Sequence, residues 1–568
     1  MTFSELAKYF QRLEATPSRN SMTEILAELF SRAKPQEIGE ICYLLQGRTV
    51  PLYEAVEFGV ADKFMIRAIA KAYGIPDDAV KKEFKKFGDL GAAAEALHKG
   101  SGGLSVSDVY KALDELARVG GAGSQEKKIG LLADLLRGTD ALSARYIARI
   151  PLDKLRLGFS DMTILDALSW MITGDKSLRT RLEAAYNVRP DIGLLATEVK
   201  KEGMKGLSHI HAKVGAPILA SLCARLPNAD EMVKKMKEVA VEPKYDGVRV
   251  QIHFKRGAFV SSFSRNLENT SAMFPELNDI DHELIADEVI LDSEAVGYDA
   301  KHDKLVPFQE TSTRKRKHGI TESAKSTPLK FFVFDILYKN GKELLSLPLN
   351  ARRKILEETL RKSNHLMLSP QIVTHDADEI RRYHDEQLKK GLEGAVVKKW
   401  DSIYEPGRAG YHWVKFKEEE GKTGKLTDTI DAVIMGYYRG EGKRSSFGIG
   451  AFLVGVVRGD SIVTITKIGT GVSDELWKEI RKRLNDIKVS TPPKEYKDVS
   501  KRLYPDVWVA PKIVVELAGD DLTRSPNHGA GIAVRFPRLV RIRDDKFPAQ
   551  ATTVAELTVM YKNQGSRV

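Results

Sequence analysis

Hydrophobic positions in the first third of the chain repeat with the three- and four-residue spacing of amphipathic helices. Phe3, Leu6 and Phe10 follow this spacing, and so do the leucines between positions 131 and 136. Glycine- and serine-rich breaks at 99–103 and 119–125 separate such segments from one another. The pattern predicts an all-α domain over residues 1–210.

The period of the pattern changes near residue 241. Between residues 248 and 254, Val, Val, Ile and Phe alternate with Arg, Gln and His, which is the two-residue rhythm of a half-buried strand. Further strands are predicted at 284–298, 330–338, 394–400 and 412–417, with a helix at 349–363. We therefore predict a mixed α/β domain over residues 211–418.

A polar, charged and glycine-bearing segment at 417–428 follows this domain, and we predict a hinge there. Strand patterns resume beyond it, in a third predicted domain over residues 419–568. The strand candidates lie at 431–440, 450–459, 460–469, 506–517 and 533–543, with one helix near 473–486. This order predicts a five-stranded β-barrel of OB type that carries a helix.

The charge of the chain favours an anionic partner. Its 568 residues contain 89 Lys and Arg against 78 Asp and Glu, a net charge of +11. Such an excess is typical of proteins that bind nucleic acid, although many basic proteins bind nothing anionic.

Cysteine content and hydropathy exclude several classes. The two cysteines, Cys42 and Cys223, are far apart and lack CxxC spacing, so neither a disulfide framework nor a cysteine-rich zinc site is supported. No uncharged apolar run approaches the ~18 residues of a membrane span, and the N-terminus lacks the apolar core of a secretory signal. We expect a cytoplasmic protein without a membrane partner.

The segment VEPKYDGVRV at 241–250 places Lys244 before an Asp-Gly turn that leads into a strand. Lysines before turns are commonly exposed surface residues, so this spacing alone does not define a site. The segment resembles the first motif of the covalent nucleotidyltransferases, the superfamily of DNA ligases, RNA ligases and mRNA-capping enzymes. In these enzymes the lysine attacks the α-phosphate of a nucleotide, so the resemblance implies that Lys244 is the nucleophile.

A lysine must be neutral to act as a nucleophile. An ordinary lysine has a pKa of about 10.4, so only ~1 molecule in 10³ is neutral at pH 7. Nearby cations and a divalent metal disfavour the charged amine. We therefore expect positive charge around Lys244.

Three later segments resemble the third, fourth and fifth motifs of the superfamily, in family order. LDSEAVGYD contains Glu294, with serine where the family usually has glycine; LEGAVVKK contains Glu393 and Lys398; HWVKFK contains Lys415 and Lys417. Without this context, the acids could be salt-bridged and the lysines could lie on a solvated strand face. The resemblance implies Mg²⁺ held by Glu294 and Glu393, and a triphosphate held by the two lysines of HWVKFK.

The resemblance also implies residues that bind the nucleotide. Glu242 corresponds to the residue that reads the adenine amino group, and Phe334 to the aromatic that stacks on adenine, with core packing as the alternative role of Phe334. Arg249 and Arg265 correspond to arginines that hold phosphate groups. Arg408 is a looser match, because the next residue is alanine where relatives often carry a second basic residue.

Near the C-terminus, AVRFPRLVRIRDDK resembles the sixth motif, with Arg543, Asp545 and Lys546 at its end. This motif implies contact with pyrophosphate during self-adenylation; a basic strand end is the alternative. The cluster RKRK at 314–317 is predicted to form a basic face near a DNA channel.

Upstream, the segments at 41–54 and 150–168 look like signatures of the helical DNA-binding domain of ATP-dependent DNA ligases of the archaeal and eukaryotic replicative type. The resemblance therefore covers nearly the whole chain. It implies sealing of nicks in duplex DNA through lysyl-AMP and 5′-adenylated DNA, in replication, repair and recombination. It also implies ATP and Mg²⁺, with Mn²⁺ as a substitute, a monomer associated with the nucleoid, and a sliding clamp as partner, although no Gln-led, paired-aromatic clamp motif is found.

Two alternatives remain open from sequence. An RNA ligase or capping-type enzyme would use the same lysine chemistry, but the helical domain favours DNA. A non-catalytic nucleic-acid clamp would be expected to have lost the lysine or the metal carboxylates, and neither is lost. The sequence contains neither the P-loop motif of a helicase nor the compact His/Cys cluster of a zinc enzyme. It does not establish whether ATP is the only nucleotide that donates the adenylate.

Overall fold

The computed structural model describes residues 1–155, 157–224, 226, 228–299, 304–306, 328–407, 410–416, 429–440 and 447–563. The chain divides into two compact units, residues 1–418 and 419–568. The first unit contains the helical region and a region with two β-sheets, and the second is rich in strands.

The helical region begins with a capping box, because Thr2 accepts a hydrogen bond from the Glu5 backbone N–H and Glu5 in turn accepts from the Thr2 backbone N–H. Phe3, Leu6 and Phe10 are buried on one face of the first helix, as their spacing predicts. The helices pack around a shared apolar core. They are α1 Phe3–Ala15, α2 Arg19–Arg32, α3 Ile38–Leu45, α4 Asp62–Tyr73, α5 Asp77–Phe87, α6 Leu90–Leu97, α7 Val106–Arg118, α8 Ser124–Arg137, α9 Ala141–Arg149, α10 Asp161–Thr173, α11 Arg179–Val188 and α12 Ile192–Glu202.

The rest of the first unit is a mixed α/β region. Its strands are β1 Val239–Pro243, β2 Val248–Lys255, β3 Phe259–Ser264, β4 Glu288–Asp299, β5 Lys304–Val306, β6 Leu329–Lys339, β7 Lys342–Glu343, β8 Leu366–Leu368, β9 Ile372–Thr374, β10 Ala395–Lys399 and β11 Trp413–Phe416. Its helices are α13 Ala229–Met236, α14 Leu349–Thr359 and α15 Ala377–Lys389. One sheet has the order β11-β10-β1-β9, and the other has the order β3-β2-β4-β6-β7 with β5 on β4 and β8 on β6.

The four-stranded sheet has one apolar face and one polar face. Val239, Val241, Val397 and Val414 pack with residues of α13 and α15 in one apolar cluster. Residues directly opposite in neighbouring antiparallel strands share a face. Glu242 of β1 lies opposite Val396 of β10, which lies opposite Lys415 of β11. Glu242 and Lys415 are therefore on the same face of the sheet, the one opposite this apolar cluster.

In the seven-stranded sheet, β2 departs from its predicted half-buried pattern. Val250, Ile252 and Phe254 lie in the core, but Gln251 and His253 on the opposite face are buried as well. The preceding segment covers that face: the Ile218 N–H donates to Gln251 Oε1 at 2.8 Å and the Gly215 N–H donates to His253 Nδ1 at 3.0 Å. Covered in this way, the strand is buried on both faces.

The second unit contains more strands than the five-stranded prediction. Segment 506–517 forms two strands separated by Pro511, and segment 533–543 forms two strands separated at Phe536, whose φ is +50°, and Pro537. A helix near the C-terminus was also not predicted. The elements are β12 Ile430–Tyr438, β13 Ala451–Arg458, β14 Ser461–Ile468, α16 Asp474–Asn485, β15 Lys488–Val489, β16 Tyr496–Lys497, β17 Val507–Val509, β18 Val514–Ala518, β19 Asp521–Arg524, β20 Ile532–Arg535, β21 Arg538–Ile542 and α17 Val554–Asn563.

The main sheet of this unit has the order β15-β17-β12-β13-β14-β16, with β18 joining β12 to β21, and β19 and β20 form a separate pair. Its apolar side chains pack with Trp477 and Ile480 of α16. Within the described ranges, no helix is long and apolar enough to cross a membrane.

Candidate active site

Lys244 lies where the chain passes from one sheet to the other, in the turn between β1 and β2. Its backbone is held by two hydrogen bonds: the Lys244 N–H donates to Gly394 O at 2.9 Å, and the Glu393 N–H donates to Lys244 O at 3.0 Å. The Lys244 ammonium contacts the Glu393 carboxylate, and both side chains are about four-fifths buried.

Gly247 explains the Asp-Gly turn that follows. A Cβ at this position would lie 2.5 Å from Ala295 O and 2.9 Å from Glu294 Cγ. The absence of a side chain therefore lets the turn of Lys244 approach the strand that carries Glu294.

Glu242 and Lys398 form a buried ion pair on the polar face of the four-stranded sheet. Glu242 Oε2 lies 2.7 Å from Lys398 Nζ, and both side chains are less than 5% exposed. Burial raises the pKa of Glu242, while the positive charge of Lys398 opposes that shift. Among the residues that the structure describes, Glu242 Oε1 has no hydrogen-bond partner. A buried acceptor without a hydrogen bond lowers the stability of the folded chain by about 1–3 kcal/mol. The amino group of a purine is a donor that would satisfy it.

Phe334 is the extra residue of a β-bulge. Asp292 of β4 pairs with Asp335 and Ser293 with Val333, so Phe334 has no partner residue in this register. Bulges commonly re-aim a side chain next to a site. Lys398 Nζ lies 4.4 Å from the centre of the half-buried Phe334 ring. Phe334 is therefore beside the site, whereas Phe331 is buried in the core.

Arg249 is held by protein groups in this structure. Its guanidinium donates to both oxygens of Asp292, at 3.0 and 2.6 Å, and to Ser221 O at 2.6 Å. Tyr404 OH also donates to Asp292, at 2.8 Å. Although burial lowers the pKa of Arg249, the Asp292 carboxylate is among the groups that hold it above its ordinary value.

Glu294 lies directly opposite Arg249 on β4. Burial raises the pKa of Glu294 to about 8; the charges of Arg249 and Lys244 act against this shift, and those of Asp292 and Glu393 add to it. Glu294 and Glu393 therefore act on each other and on Lys244.

The described residues contain no group of three or more His, Cys, Asp or Glu that could hold a metal ion. Magnesium commonly takes only one or two carboxylates and completes its shell with substrate phosphates and water. The pair Glu294 and Glu393 fits that donor set.

Several predicted cations converge near Cys223. Burial raises the pKa of the Cys223 thiol, and the charges of Arg249, Lys398, Lys244 and Lys415 act in the opposite direction. The structure thus brings these four cations together with the acids described above. Arg265 lies exposed in the turn after β3.

Some predicted residues lie outside the described part of the chain. They are Arg408, Lys417, the RKRK cluster at 314–317 and the hinge segment at 417–428.

In the second unit, the predicted sixth-motif residues form a network of ion pairs. Arg543 donates to Asp545 at 2.9 and 2.8 Å and to Asp431 at 3.0 Å, and Lys546 donates to Asp431 at 2.6 Å. The hydrogen bonds from Arg543 hold the pKa of Asp545 well below its ordinary value. Asp431 pairs with Glu516 across β12 and β18, and Arg543 lies within ion-pair distance of both carboxylates, at 3.0 and 3.7 Å.

Sequence reasoning missed two residues of these clusters. Trp413, which is 2% exposed, contacts Phe334 and Lys398. It stands two positions before Lys415 on β11, and this alternation was a signal that both share a face. Asp431 had no comparable signal, because its role depends on residues more than a hundred positions away.

The Lys244 amine lies at the junction of two sheets, beside an aromatic ring, a buried acceptor and two carboxylates. This arrangement defines a candidate site of the class that transfers nucleotides through lysine. Comparison with known proteins agrees with this class. The chain matches the model described as ATP dependent DNA ligase domain over residues 217–417, DNA ligase N terminus over 2–169 and ATP dependent DNA ligase C terminal region over 445–546.

Relatives match along almost the whole length. The chain is 42% identical to the probable DNA ligase of Dictyoglomus thermophilum, covering 99% of this chain and 98% of the relative. It is 38% identical to DNA ligase 2 of Thermofilum pendens, with 99% and 98% covered, and 37% identical to DNA ligase 1 of Methanosarcina mazei, with 98% and 99% covered. The chain belongs to the ATP-dependent DNA ligase family.

A solved structure, Pmar-Lig_PreS3, shows the same fold at low identity. The TM-score is 0.54 at 17% sequence identity, with 94% of this chain and 99% of that chain covered. The predicted family, the DNA ligase activity and the use of ATP are confirmed by the family and its relatives.

Proposed function

We propose that this chain seals nicks in duplex DNA with Lys244 as the nucleophile. The observation that carries the assignment is the position of Lys244 at the junction of the two sheets, where it contacts Glu393 and its charge acts on Glu294. The proposed context is DNA replication, repair and recombination, with the chain as a monomer at the nucleoid.

In the first step, Lys244 Nζ attacks the α-phosphorus of ATP. A nitrogen–phosphorus bond forms, the bond from the α-phosphorus to the oxygen that bridges to the β-phosphate breaks, and pyrophosphate leaves. The amine loses a proton from Nζ, the atom that contacts Glu393. An oxygen of the 5′-phosphate at the nick then attacks the AMP phosphorus, the nitrogen–phosphorus bond breaks, and Nζ takes up a proton again. Finally the 3′-hydroxyl attacks the 5′-phosphorus, AMP leaves with the bridging oxygen, and the hydroxyl proton passes to solvent.

Glu242, Phe334 and Lys398 are proposed to bind the adenine end of ATP. Glu242 Oε1 is a buried acceptor that can take a hydrogen bond from the adenine amino group, and the Phe334 face can stack on the purine. Lys415 and Lys417 are proposed to contact the phosphates, as are Arg249, Arg265 and Arg408. Arg249 would then exchange part of its contact with Asp292 for phosphate.

We assign Glu294 and Glu393 to Mg²⁺, with Mn²⁺ as a substitute. A cation bound there would supply positive charge beside the transferred phosphate. Two observations support the assignment: both carboxylates act on Lys244, and burial raises the pKa of Glu294 to about 8, a shift that an adjacent cation would oppose.

Three domains are proposed: residues 1–210 for DNA binding, 211–418 for adenylation and 419–568 as an OB-type domain. The matched family ranges fall inside these boundaries, and the curled sheet of the C-terminal unit supports an OB-type barrel. Arg543, Asp545 and Lys546 are proposed to engage pyrophosphate during self-adenylation. DNA contacts should be mainly to phosphates, because a general nick sealer ignores sequence, and a sliding clamp stays a proposed partner.

Incubation with ATP labelled at the α-phosphate, followed by denaturing electrophoresis, tests the assignment. The wild-type chain should become labelled and should lose the label on addition of nicked duplex DNA. Lys244→Ala should abolish labelling. Lys255→Ala, which removes an exposed lysine at the end of β2 that pairs with Glu288 of β4, should leave it unchanged. Label on the Lys244→Ala chain would refute the nucleophile, and preferential sealing of RNA ends would refute the proposed substrate.

A further inference from the structure

Trp413 lies at the centre of the cluster that contains the proposed adenine-binding residues. Its ring packs edge-on against the rings of Phe334 and Tyr404, with ring centres 6.0 and 5.6 Å apart, respectively. Lys398 Nζ lies 4.2 Å from the ring centre, and the Arg249 guanidinium lies 5.4 Å from it. The side chain is held from three sides and is 2% exposed.

The indole N–H of Trp413 has no hydrogen-bond partner in the described part of the chain. Tryptophan has only this one polar atom, which can only donate, and a buried indole N–H usually finds an acceptor. The acceptor Glu242 Oε1 is also unpartnered, and both residues contact the same Lys398 ammonium. A ligand that fits here brings an acceptor for Trp413 and a donor for Glu242.

The charges around Trp413 balance. Lys398 is paired with Glu242 at 2.7 Å, and Arg249 is paired with Asp292 at 2.6 Å. Both cations beside the indole ring are therefore matched by an acid, and the indole N–H and Glu242 Oε1 are left without a hydrogen-bond partner among the described residues. A flat, neutral group that both donates and accepts hydrogen bonds, such as a nucleoside, suits these two atoms.

We propose that Trp413 is a further nucleoside-binding residue, whose indole N–H donates a hydrogen bond to an acceptor atom of the adenosine part of ATP. The acceptor is a ring nitrogen of adenine or a ribose hydroxyl. This inference rests on the proposed function of the site, and it adds a contact that neither Glu242 nor Phe334 supplies.

The test replaces Trp413 with phenylalanine, which keeps an aromatic ring and removes the N–H. Loss of one hydrogen bond to a buried donor should raise the KM for ATP in lysyl-AMP formation roughly five- to tenfold. Sealing of a nick that already carries 5′-AMP should be unchanged, which also shows that the variant is folded. Trp477→Phe, the same change at a buried tryptophan of the C-terminal unit, should leave the KM for ATP unchanged.

ATP analogues that each lack one acceptor identify the partner atom. The set comprises 1-, 3- and 7-deaza-ATP, 2′-deoxy-ATP and 3′-deoxy-ATP. One analogue should have a higher KM than ATP with the wild-type chain. With Trp413→Phe the same analogue and ATP should have equal KM values, because that variant already lacks the hydrogen bond. The KM for pyrophosphate in the reverse reaction should be equal in the two chains.

The proposal is overturned if Trp413→Phe leaves the KM for ATP unchanged, if every analogue weakens both chains equally, or if the KM for pyrophosphate rises. Normal wild-type adenylation together with any of these results refutes the role of Trp413 alone. No adenylation by the wild-type chain refutes the proposed function and the inference together.

Discussion

Replacing Lys398 with methionine should leave the buried Glu242 carboxylate without its cation. The pair is 2.7 Å apart, with side-chain exposures of 2% and 4%, so solvent cannot take over the role of the missing ammonium. Breaking a buried ion pair from one side typically costs about 3–5 kcal/mol. We expect a loss of this size in the free energy of unfolding of the full-length chain at pH 8.

The loss should depend on pH in a defined direction. Burial already raises the pKa of Glu242, and removing Lys398 takes away the charge that opposes this shift. A carboxyl whose pKa is higher in the folded chain binds its proton more tightly there, so stability is lost as the pH rises above the ordinary value of 4.5 toward the folded value. The variant should therefore be closer to the wild-type chain at pH 5 than at pH 8, with a slope of at most about 1.4 kcal/mol per pH unit.

Urea and thermal unfolding of Lys398→Met, Lys399→Met and the wild-type chain at pH 5 and pH 8 provide the measurement. Lys399 is the matched control, because it stands next in the chain and pairs at 3.3 Å with Asp401, which is 69% exposed. A pair exposed to this extent contributes about 0–1 kcal/mol. Equal losses in the two variants, or a Lys398→Met loss that is the same at both pH values, would refute the role assigned to the buried pair.

Two further substitutions test the close approach of the chain at Gly247 and the burial of His253. Gly247→Ala should lower the melting temperature and slow lysyl-AMP formation at least tenfold, since the new Cβ would lie 2.5 Å from Ala295 O. Gly103→Ala should do neither, because no atom of the described residues lies within 4 Å of the Cβ added there. Equal rates for the two variants would contradict the close approach at Gly247. Burial lowers the pKa of His253 to about 3, so stability should be lost as the pH falls from 6.5, by about 2.7 kcal/mol at pH 4.5. Urea unfolding should show that the free energy of unfolding decreases less at low pH in His253→Gln than in the wild-type chain, and as much as in the wild type in His282→Gln, which changes an exposed histidine. An equal decrease in all three chains would show that His253 does not titrate on unfolding.

The periodicity of the sequence predicted the helical N-terminal region and the longer strands such as β2, β4, β6 and β12, because alternation and helical spacing reflect which face of an element is buried. It did not predict short or flanking elements such as β3, β9 and α13. It could not show that β2 is buried on both faces, since the covering segment near Ile218 lies thirty residues upstream. Nor could it reveal that Phe334 is a bulge residue, because a bulge is a property of the pairing between two strands. Pro511 did carry a signal for the break between β17 and β18, since proline lacks the N–H that a strand ladder needs.

The candidate site was predicted through its motifs, and its internal pairing was not. The resemblance brought Glu242, Lys398 and Lys244 together as site residues. The pairing of Lys244 with Glu393, and of Glu242 with Lys398, depends on the register of β1 and β10, which no local pattern encodes. Trp413 was missed because an aromatic beside a lysine is equally typical of an ordinary core strand.

Lys244 is proposed to carry AMP before a broken DNA strand receives it. Mass spectrometry of the full-length chain after incubation with ATP and Mg²⁺, followed by peptide mapping, measures whether it does. We predict one added adenylate on the peptide that contains residues 241–250, located on Lys244 and released when nicked duplex DNA is supplied. An adenylate on another lysine, or a folded chain that seals nicks without ever carrying an adenylate, would refute the role of Lys244.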